Sequence, residues 1–223
     1  MNLKAVLFDL DGTLLDTAAD IAIAINTTLE CYGHRKLSLK TVSEGISHGA
    51  AGIFSRHLDI DPNKHQELIN HFMDTYQQCQ FHNTHIYDGI KPLLAFLKES
   101  NIKWGVVTNK SERFTLPILK KVNLLHSAAC VVSGDSTAYR KPHPAPVLLA
   151  CEQLNIKPQH ILLVGDHEKD IKAGHAAGTC TAFAKYGYID NMIDNINSEQ
   201  KFLTAAKHTI QQPIQLLDII KKY

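Results

Sequence analysis

The chain has 223 residues, 44% of them apolar, enough to bury a sizeable core in about one domain, or in one domain carrying a large insert. Lys plus Arg number 23 against 22 for Asp plus Glu, a net charge of +1 with no basic tail, so the sequence lacks the electrostatic footprint of a nucleic-acid binder. No apolar run reaches about 18 residues, and Ala5-Val6-Leu7-Phe8 meets Asp9 too soon for a signal-peptide core, so neither a membrane span nor a secretory leader is expected.

In chain order, 4–8 reads as a short buried strand: apolar, partly β-branched and too short for a helix. About 75 residues follow it with no convincing strand, and they carry helical periodicity instead. Ile21, Ile25, Thr28, Leu29 and Tyr32 share one face, and Leu68, Ile69, Phe72, Met73 and Tyr76 share another. Residues 17–82 are therefore expected to form an α-helical cap inserted at the carboxyl edge of a sheet built from 1–16 and 83–223. From Tyr87-Asp88-Gly89 onward, helix-length segments alternate with strands expected at 103–108, 129–133, 160–165 and 181–184. The helical stripes are Ile90, Leu93, Leu94 and Leu97, then Val147, Leu148, Cys151 and Leu154. This alternation predicts an α/β fold, a doubly wound parallel sheet with an inserted helical cap. Pro213, followed by Ile214, Leu217 and Ile220, predicts a closing helix with Pro in its first turn. Five cysteines (31, 79, 130, 151 and 180), odd in number and never in a CxxC pair, predict reduced thiols in a cytoplasmic protein rather than disulfides or a zinc site. Lone Trp104 is expected to pack on the sheet.

The most informative segment is Phe8-Asp9-Leu10-Asp11-Gly12-Thr13. Asp9 and Asp11, two apart where a strand ends, point to one side while Leu10 turns to the core, and Gly12 lets the chain turn sharply. Paired carboxylates at a buried strand end are costly without compensation, and Mg²⁺ suits hard carboxylate oxygens. The same residues could be a structural turn or open a calcium loop, although an EF-hand needs Glu at its twelfth position, where Asp20 stands here. Three later segments each have a plain and a chemical reading. Thr108-Asn109 ends a strand with groups that bind a phosphoryl oxygen or cap a helix. In Arg140-Lys141-Pro142, Lys141 is a solvated lysine or a site cation. In Gly165-Asp166-His167-Glu168-Lys169-Asp170, Asp166 and Asp170 lie on one helical face as metal ligands or as first-turn acids. Four strand ends each carrying a group that a Mg²⁺-phosphate site needs are hard to explain as four independent caps.

This ordered set, DxDGT, hydrophobic-TN, KP and GDxxxD with an insert after the first motif, resembles the haloacid dehalogenase superfamily over nearly the whole chain, and within it the phosphoglycolate phosphatase-like group. Glu44–Ala50, Trp104–Lys110 and Tyr186–Ile189 look closer still to the subgroup that acts on N-acetylmuramic acid 6-phosphate. The resemblance implies a cytoplasmic Mg²⁺-dependent phosphatase, monomer or homodimer, acting on a small carboxylate-bearing phosphate ester. The muramic acid ester is favoured, with 2-phosphoglycolate as the alternative; a phosphomutase or a non-catalytic phosphate-binding module are further ones. A dehalogenase is disfavoured because it needs neither metal nor an acid at Asp11. The resemblance also implies that Asp9 is the nucleophile, Asp11 the general acid and base, and Lys141 a catalytic cation. Asp9, the Asp11 backbone carbonyl and Asp166 would hold the metal, while Asp170 orients Lys141 or a metal-bound water. Gly12, Thr13, Thr108 and the Asn109 backbone would contact the phosphoryl group. In the cap, Gly45–Ala50 is expected to be a glycine-rich loop whose Ser47, His48 and Gly49 read the substrate, with Lys110 and Arg56 as cations for its carboxylate. His167 departs from the small or acidic residue of many relatives and puts a titrating group beside Asp166.

Overall fold

The structure is a computed structural model that describes residues 2–59, 62–79, 81–189 and 206–223. Positions 60, 61 and 80 of the expected cap and 190–205 of the expected core lie outside the described residues. Six parallel strands form the main sheet, in the order β5-β4-β1-β6-β7-β8: β1 Ala5–Phe8, β4 Lys103–Val107, β5 Cys130–Val132, β6 Ile161–Gly165, β7 Cys180–Ala184 and β8 His208–Ile210. Side chains alternate across it. Val6, Phe8, Leu162 and Val164 enter one core layer, which includes Trp104, whose ring meets Phe8 edge-on at 6.4 Å. Ala5, Leu7, Ile161 and Leu163 enter the layer on the opposite face. Helices cover both faces, as buried parallel strands require. α5 (Ile90–Glu99) and α6 (Glu112–Lys121) bury their apolar stripes in the first layer, and α7 (Ala145–Leu154) and α8 (Glu168–Ala177) pack on the second. Leu148 corrects the expected α7 stripe: it is 44% exposed, and Pro146, Val147, Ala150, Cys151 and Leu154 form the buried face instead. The closing segment starts as a 3₁₀ turn at Pro213–Gln215 and continues as α9 (Leu216–Ile220).

Register positions the site. Phe8 pairs with Val106 on one side and Val164 on the other. Asp9, Thr108 and Asp166 therefore leave the sheet at one edge, the carboxyl edge where open α/β sheets bind ligands.

Between Asp9 and α5 the expectation of no strand is corrected. Leu15–Asp16 (β2) and His85–Ile86 (β3) form a two-stranded antiparallel ribbon, Leu15 opposite Ile86 and Asp16 opposite His85. Two residues each gave no alternation to read. The chain between them forms α1 (Ala18–Cys31), α2 (Leu39–Gly45), α3 (Gly49–His57) and α4 (Pro62–Gln78). Ile21, Ile25 and Leu29 of α1 and Leu68, Phe72 and Tyr76 of α4 share a buried core with Val42, Ile53 and Phe54. Phe72 stacks on Tyr76 at 5.6 Å and meets Phe54 edge-on. The neck is tied a second time by buried Asp20, whose carboxylate accepts from the Asn83 backbone and side chain and from the Thr84 hydroxyl. All five cysteines are free, three of them buried. No helix among the described residues is long and apolar enough to cross a membrane.

Candidate active site

Asp9, Asp166 and Asp170 converge at the carboxyl edge, each offering an oxygen within 4.8 Å of the others. Lys141 stands among them, its Nζ 2.9 Å from Asp9 Oδ1 and 2.6 Å from Asp170 Oδ1, and it donates to the Val107 carbonyl at 2.7 Å. Burial alone would lower the Lys141 ammonium, but Asp170 and Asp9 overcome it and hold the group above the ordinary lysine value. Burial also raises Asp9, to about 6, against the pull of Lys141 and with repulsion from Asp170 and Asp11 adding to it. Asp166 is pushed well above its ordinary value by burial and then by Asp9 and Asp170. Three carboxylates grouped with the single ammonium of Lys141, which pairs directly with two of them, leave an excess of negative charge when all are ionised. That is the electrostatic demand a divalent, oxygen-seeking cation such as Mg²⁺ meets, and the donor set consists of the hard oxygens it prefers.

Each acid is held. The Asp9 carboxylate accepts from the Leu10 N–H at 2.7 Å. Asp166 accepts from the Thr13 hydroxyl at 3.1 Å and the Tyr188 N–H at 2.7 Å. Asp170 closes a capping box at the start of α8, accepting from the His167 N–H, while His167 Nδ1 accepts from the Lys169 N–H. Gly12 has φ +80°, and a Cβ there would run into the Asp166 carboxylate. Both Gly12 and Thr13 thus serve Asp166.

The Asp11 side chain is not part of the acid cluster. It accepts from Lys110 Nζ on both oxygens, at 2.9 and 3.0 Å, and from the Thr17 hydroxyl at 2.6 Å. Lys110, expected to meet a substrate carboxylate, pairs with Asp11, lies over the Tyr76 ring, 4.7 Å from its centroid, and lines the larger of the two cavities at the site. The Asn109 carboxamide makes a reciprocal pair with the Lys141 backbone, both bonds 2.9 Å, and so fixes the lysine. Thr108, buried, lies at the strand end and accepts from the Lys110 N–H.

Two cavities meet at Asp11 and Asn109. A polar one of about 50 Å³ is lined by Asp9, Asp11, Ser47, Asn109, Lys141, His167, Lys169 and Asp170. The other, about 380 Å³, has walls of Ile21, Ile53, Phe72, Met73, Tyr76 and Phe114, with His48, Gly49, Lys110 and Arg140 as polar interruptions. The expected glycine-rich loop is a correction: Ile46–His48 is a 3₁₀ turn between α2 and α3, with Gly49 at φ +69°. It does bring Ser47, His48 and Gly49 to the cavities. Arg56 pairs with His48 Nε2 at 2.9 Å.

Sequence reasoning gave no role to Lys169 or Tyr188. Lys169 lies inside the GDHEKD segment and donates from Nζ to the Ser47 carbonyl at 2.8 Å. Burial lowers its ammonium from the ordinary lysine value. The Tyr188 hydroxyl donates to Asp16 at 2.7 Å and accepts from the Thr17 and Ala18 N–H groups, joining the neck to the loop that holds Asp166. The tyrosine pair around Gly187 was the visible signal. A Cβ at Gly187 would strike the Gly12 carbonyl and Asp166.

The family model for haloacid dehalogenase-like hydrolases matches residues 6–184. An N-acetylmuramic acid 6-phosphate phosphatase from Pseudomonas aeruginosa is 40% identical over 224 residues, covering 100% of this chain and 96% of that protein. A phosphoglycolate phosphatase from Nitrosospira multiformis is 40% identical over 194 residues, covering 84% of this chain and 86% of its own. The crystal structure of a predicted phosphoglycolate phosphatase from Haemophilus somnus superimposes with a TM-score of 0.87 at 28% identity, covering 98% of both chains.

Proposed function

The chain belongs to the haloacid dehalogenase-like hydrolase family and is a phosphatase within it, and on that premise we propose that it hydrolyses a phosphomonoester through an aspartyl-phosphate on Asp9. The observation that carries this reading is the cluster of half-buried Asp9 with buried Asp166, Asp170 and Lys141, and a fourth acid, Asp11, held separately next to it.

An Asp9 oxygen attacks phosphorus while the bond to the leaving oxygen breaks, and Asp11 gives that oxygen its proton. Water then attacks the aspartyl-phosphate, Asp11 takes its proton, and inorganic phosphate leaves with Asp9 restored. Lys110 and Thr17 fix the Asp11 carboxylate for both steps. Lys141 places its ammonium against Asp9, where charge on the transferring group is to be met, and Asp170 and Asn109 keep it there. Asp9, Asp166 and the Asp11 carbonyl would hold Mg²⁺, which supplies charge neutralisation between an anionic nucleophile and a phosphate dianion. Thr108 and the Asn109 backbone complete the phosphoryl-binding edge.

Residues 17–82 act as a cap that selects the leaving group. The substrate we favour is N-acetylmuramic acid 6-phosphate. The larger cavity, about 380 Å³ beside Asp11, exceeds what a two-carbon acid needs and falls in the range of about 300–1,000 Å³ typical of larger ligands. The second reading, 2-phosphoglycolate, draws on the Nitrosospira relative and on Lys110 as a cation for a short carboxylate. Free thiols throughout fit a reducing, cytoplasmic setting. The test is phosphate release from both esters and p-nitrophenyl phosphate, with and without Mg²⁺. The muramic acid ester should have the higher kcat/KM, and no release from any phosphomonoester would reject the reading.

A further inference from the structure

The small polar cavity lies between the carboxyl edge of the sheet and the Ile46–His48 turn of the insert, and one side chain spans the two. Lys169, in the first turn of α8, sits between the metal-site positions Asp166 and Asp170 in sequence and lines the cavity with Asp9 and Lys141. Its Nζ donates at 2.8 Å to the Ser47 carbonyl in the 3₁₀ turn of the insert, 122 residues away. Beside this bond the rings of His48 and His167 meet edge-on at 5.7 Å, so core and insert touch at two neighbouring points. A lysine ammonium has three donors, and the Ser47 bond uses one. The group therefore has donors left for an anion in a cavity whose wall it already forms.

Resting on the phosphatase reading above, we propose that Lys169 is a phosphate-sensing latch, its ammonium donating at once to a phosphoryl oxygen in the cavity and to the Ser47 carbonyl. Phosphoryl binding and fastening of the Ile46–His48 turn are then one event. The backbone carbonyl makes the latch independent of the side chain at position 47, and the two-stranded neck at Asp16 and His85 provides the base about which the insert moves. Lys169 acts on the cap as a positioning residue, distinct from Lys141, which is tied to Asp9 and Asp170 of the core.

Hydrogen exchange of residues 44–52 with Mg²⁺ and inorganic phosphate tests this, phosphate being set well above its inhibition constant for each variant. In the wild type, phosphate should slow exchange of this segment by about tenfold or more, the scale expected when a charge-assisted bond fastens a local opening. In Lys169→Met the slowing should fall to about twofold or less, although phosphate still inhibits p-nitrophenyl phosphate hydrolysis. Lys169→Arg should restore most of it, a recovery that a merely structural role does not give. If Lys169→Met does not fold, Lys169→Gln, with its shorter stem, is read the same way. Equal slowing in wild type and Lys169→Met overturns the latch, as does a wild type that hydrolyses p-nitrophenyl phosphate with no slowing at all. A wild type that neither hydrolyses the ester nor responds to phosphate overturns the phosphatase reading itself.

Discussion

Replacing Lys141 by Met removes the one ammonium inside a cluster of three carboxylates while keeping the length of the side chain. The lysine is almost wholly buried and satisfied by Asp9, Asp170 and the Val107 carbonyl. Removing one partner of a buried ion pair costs about 3–5 kcal/mol, because the other charge is left without compensation. For a chain of this size about 2–4 °C of melting temperature goes with each kcal/mol, so the metal-free variant should melt about 6–20 °C below wild type near pH 7.5. The direction with pH follows from the protons. Without Lys141, Asp9 loses the ammonium that lowers it, so it rises further above the 3.8 of an unfolded aspartate. The folded variant then binds more protons than the unfolded chain in that window, and stability rises as pH falls through it. The gap to wild type should therefore narrow near pH 5. Thermal melts in EDTA at both pH values measure this, with phosphate release in Mg²⁺ run alongside and expected to drop by about a hundredfold or more. A variant that melts with wild type near pH 7.5 would refute the electrostatic reasoning, since it would mean the carboxylates do not need the ammonium.

Asp9→Asn should abolish Mg²⁺-dependent phosphate release, and wild-type turnover by the purified variant would remove Asp9 from the nucleophile's role. Asp11→Asn should slow single turnover of an alkyl phosphate by about a hundredfold. Release of p-nitrophenol should be slowed less than release of the alcohol, because that leaving group needs little protonation; equal losses in leaving-group release would assign Asp11 a structural task. Since burial raises Asp9 to about 6, metal-free stability should fall as pH rises from the unfolded value of 3.8 through 6. Mg²⁺ displaces those protons, so the melting increment from Mg²⁺ should be larger near pH 7.5 than near pH 5; an increment that does not change with pH would argue that the metal binds elsewhere. Gly187→Ala should cost about 1–3 kcal/mol in urea unfolding, because its Cβ would overlap the Gly12 carbonyl and Asp166. No loss would mean the Gly12–Gly187 approach yields freely.

The sheet was legible because its strands are buried on both faces: Ala5–Phe8, Lys103–Val107 and Ile161–Gly165 stand out as apolar runs punctuated by the polar residues of the site. β8 was not, since His208-Thr209-Ile210 lies at the sheet's edge, only three residues long and with one buried residue, too short to give a pattern. Residue types for phosphate chemistry were also readable, but their pairings were not. That Asn109 grips the Lys141 backbone, and that Lys110 turns to Asp11 rather than to open space, depends on contacts across 32 and 99 positions, which no local pattern records. The turn at Ile46–His48 was misread as a glycine-rich loop because Gly45 and Gly49 suggest freedom, whereas the intervening residues form a 3₁₀ turn that lines both cavities. Lys169 was overlooked for a different reason: its partner is a backbone carbonyl, and any residue type supplies one.

The ribbon of Leu15–Asp16 with His85–Ile86 has a consequence for the history of the chain. It brings the two ends of the insert side by side at one point on the rim of the sheet, and Asp20 ties them again one turn further out. A segment that departs and returns through adjacent strands imposes almost no geometric demand on the scaffold, whatever its length or internal packing. Such a join behaves like a socket. The sheet, with its four acids and its lysine, can keep one chemistry while the helices plugged in above it are lengthened, shortened or exchanged, and the only requirement is that both ends arrive as neighbours.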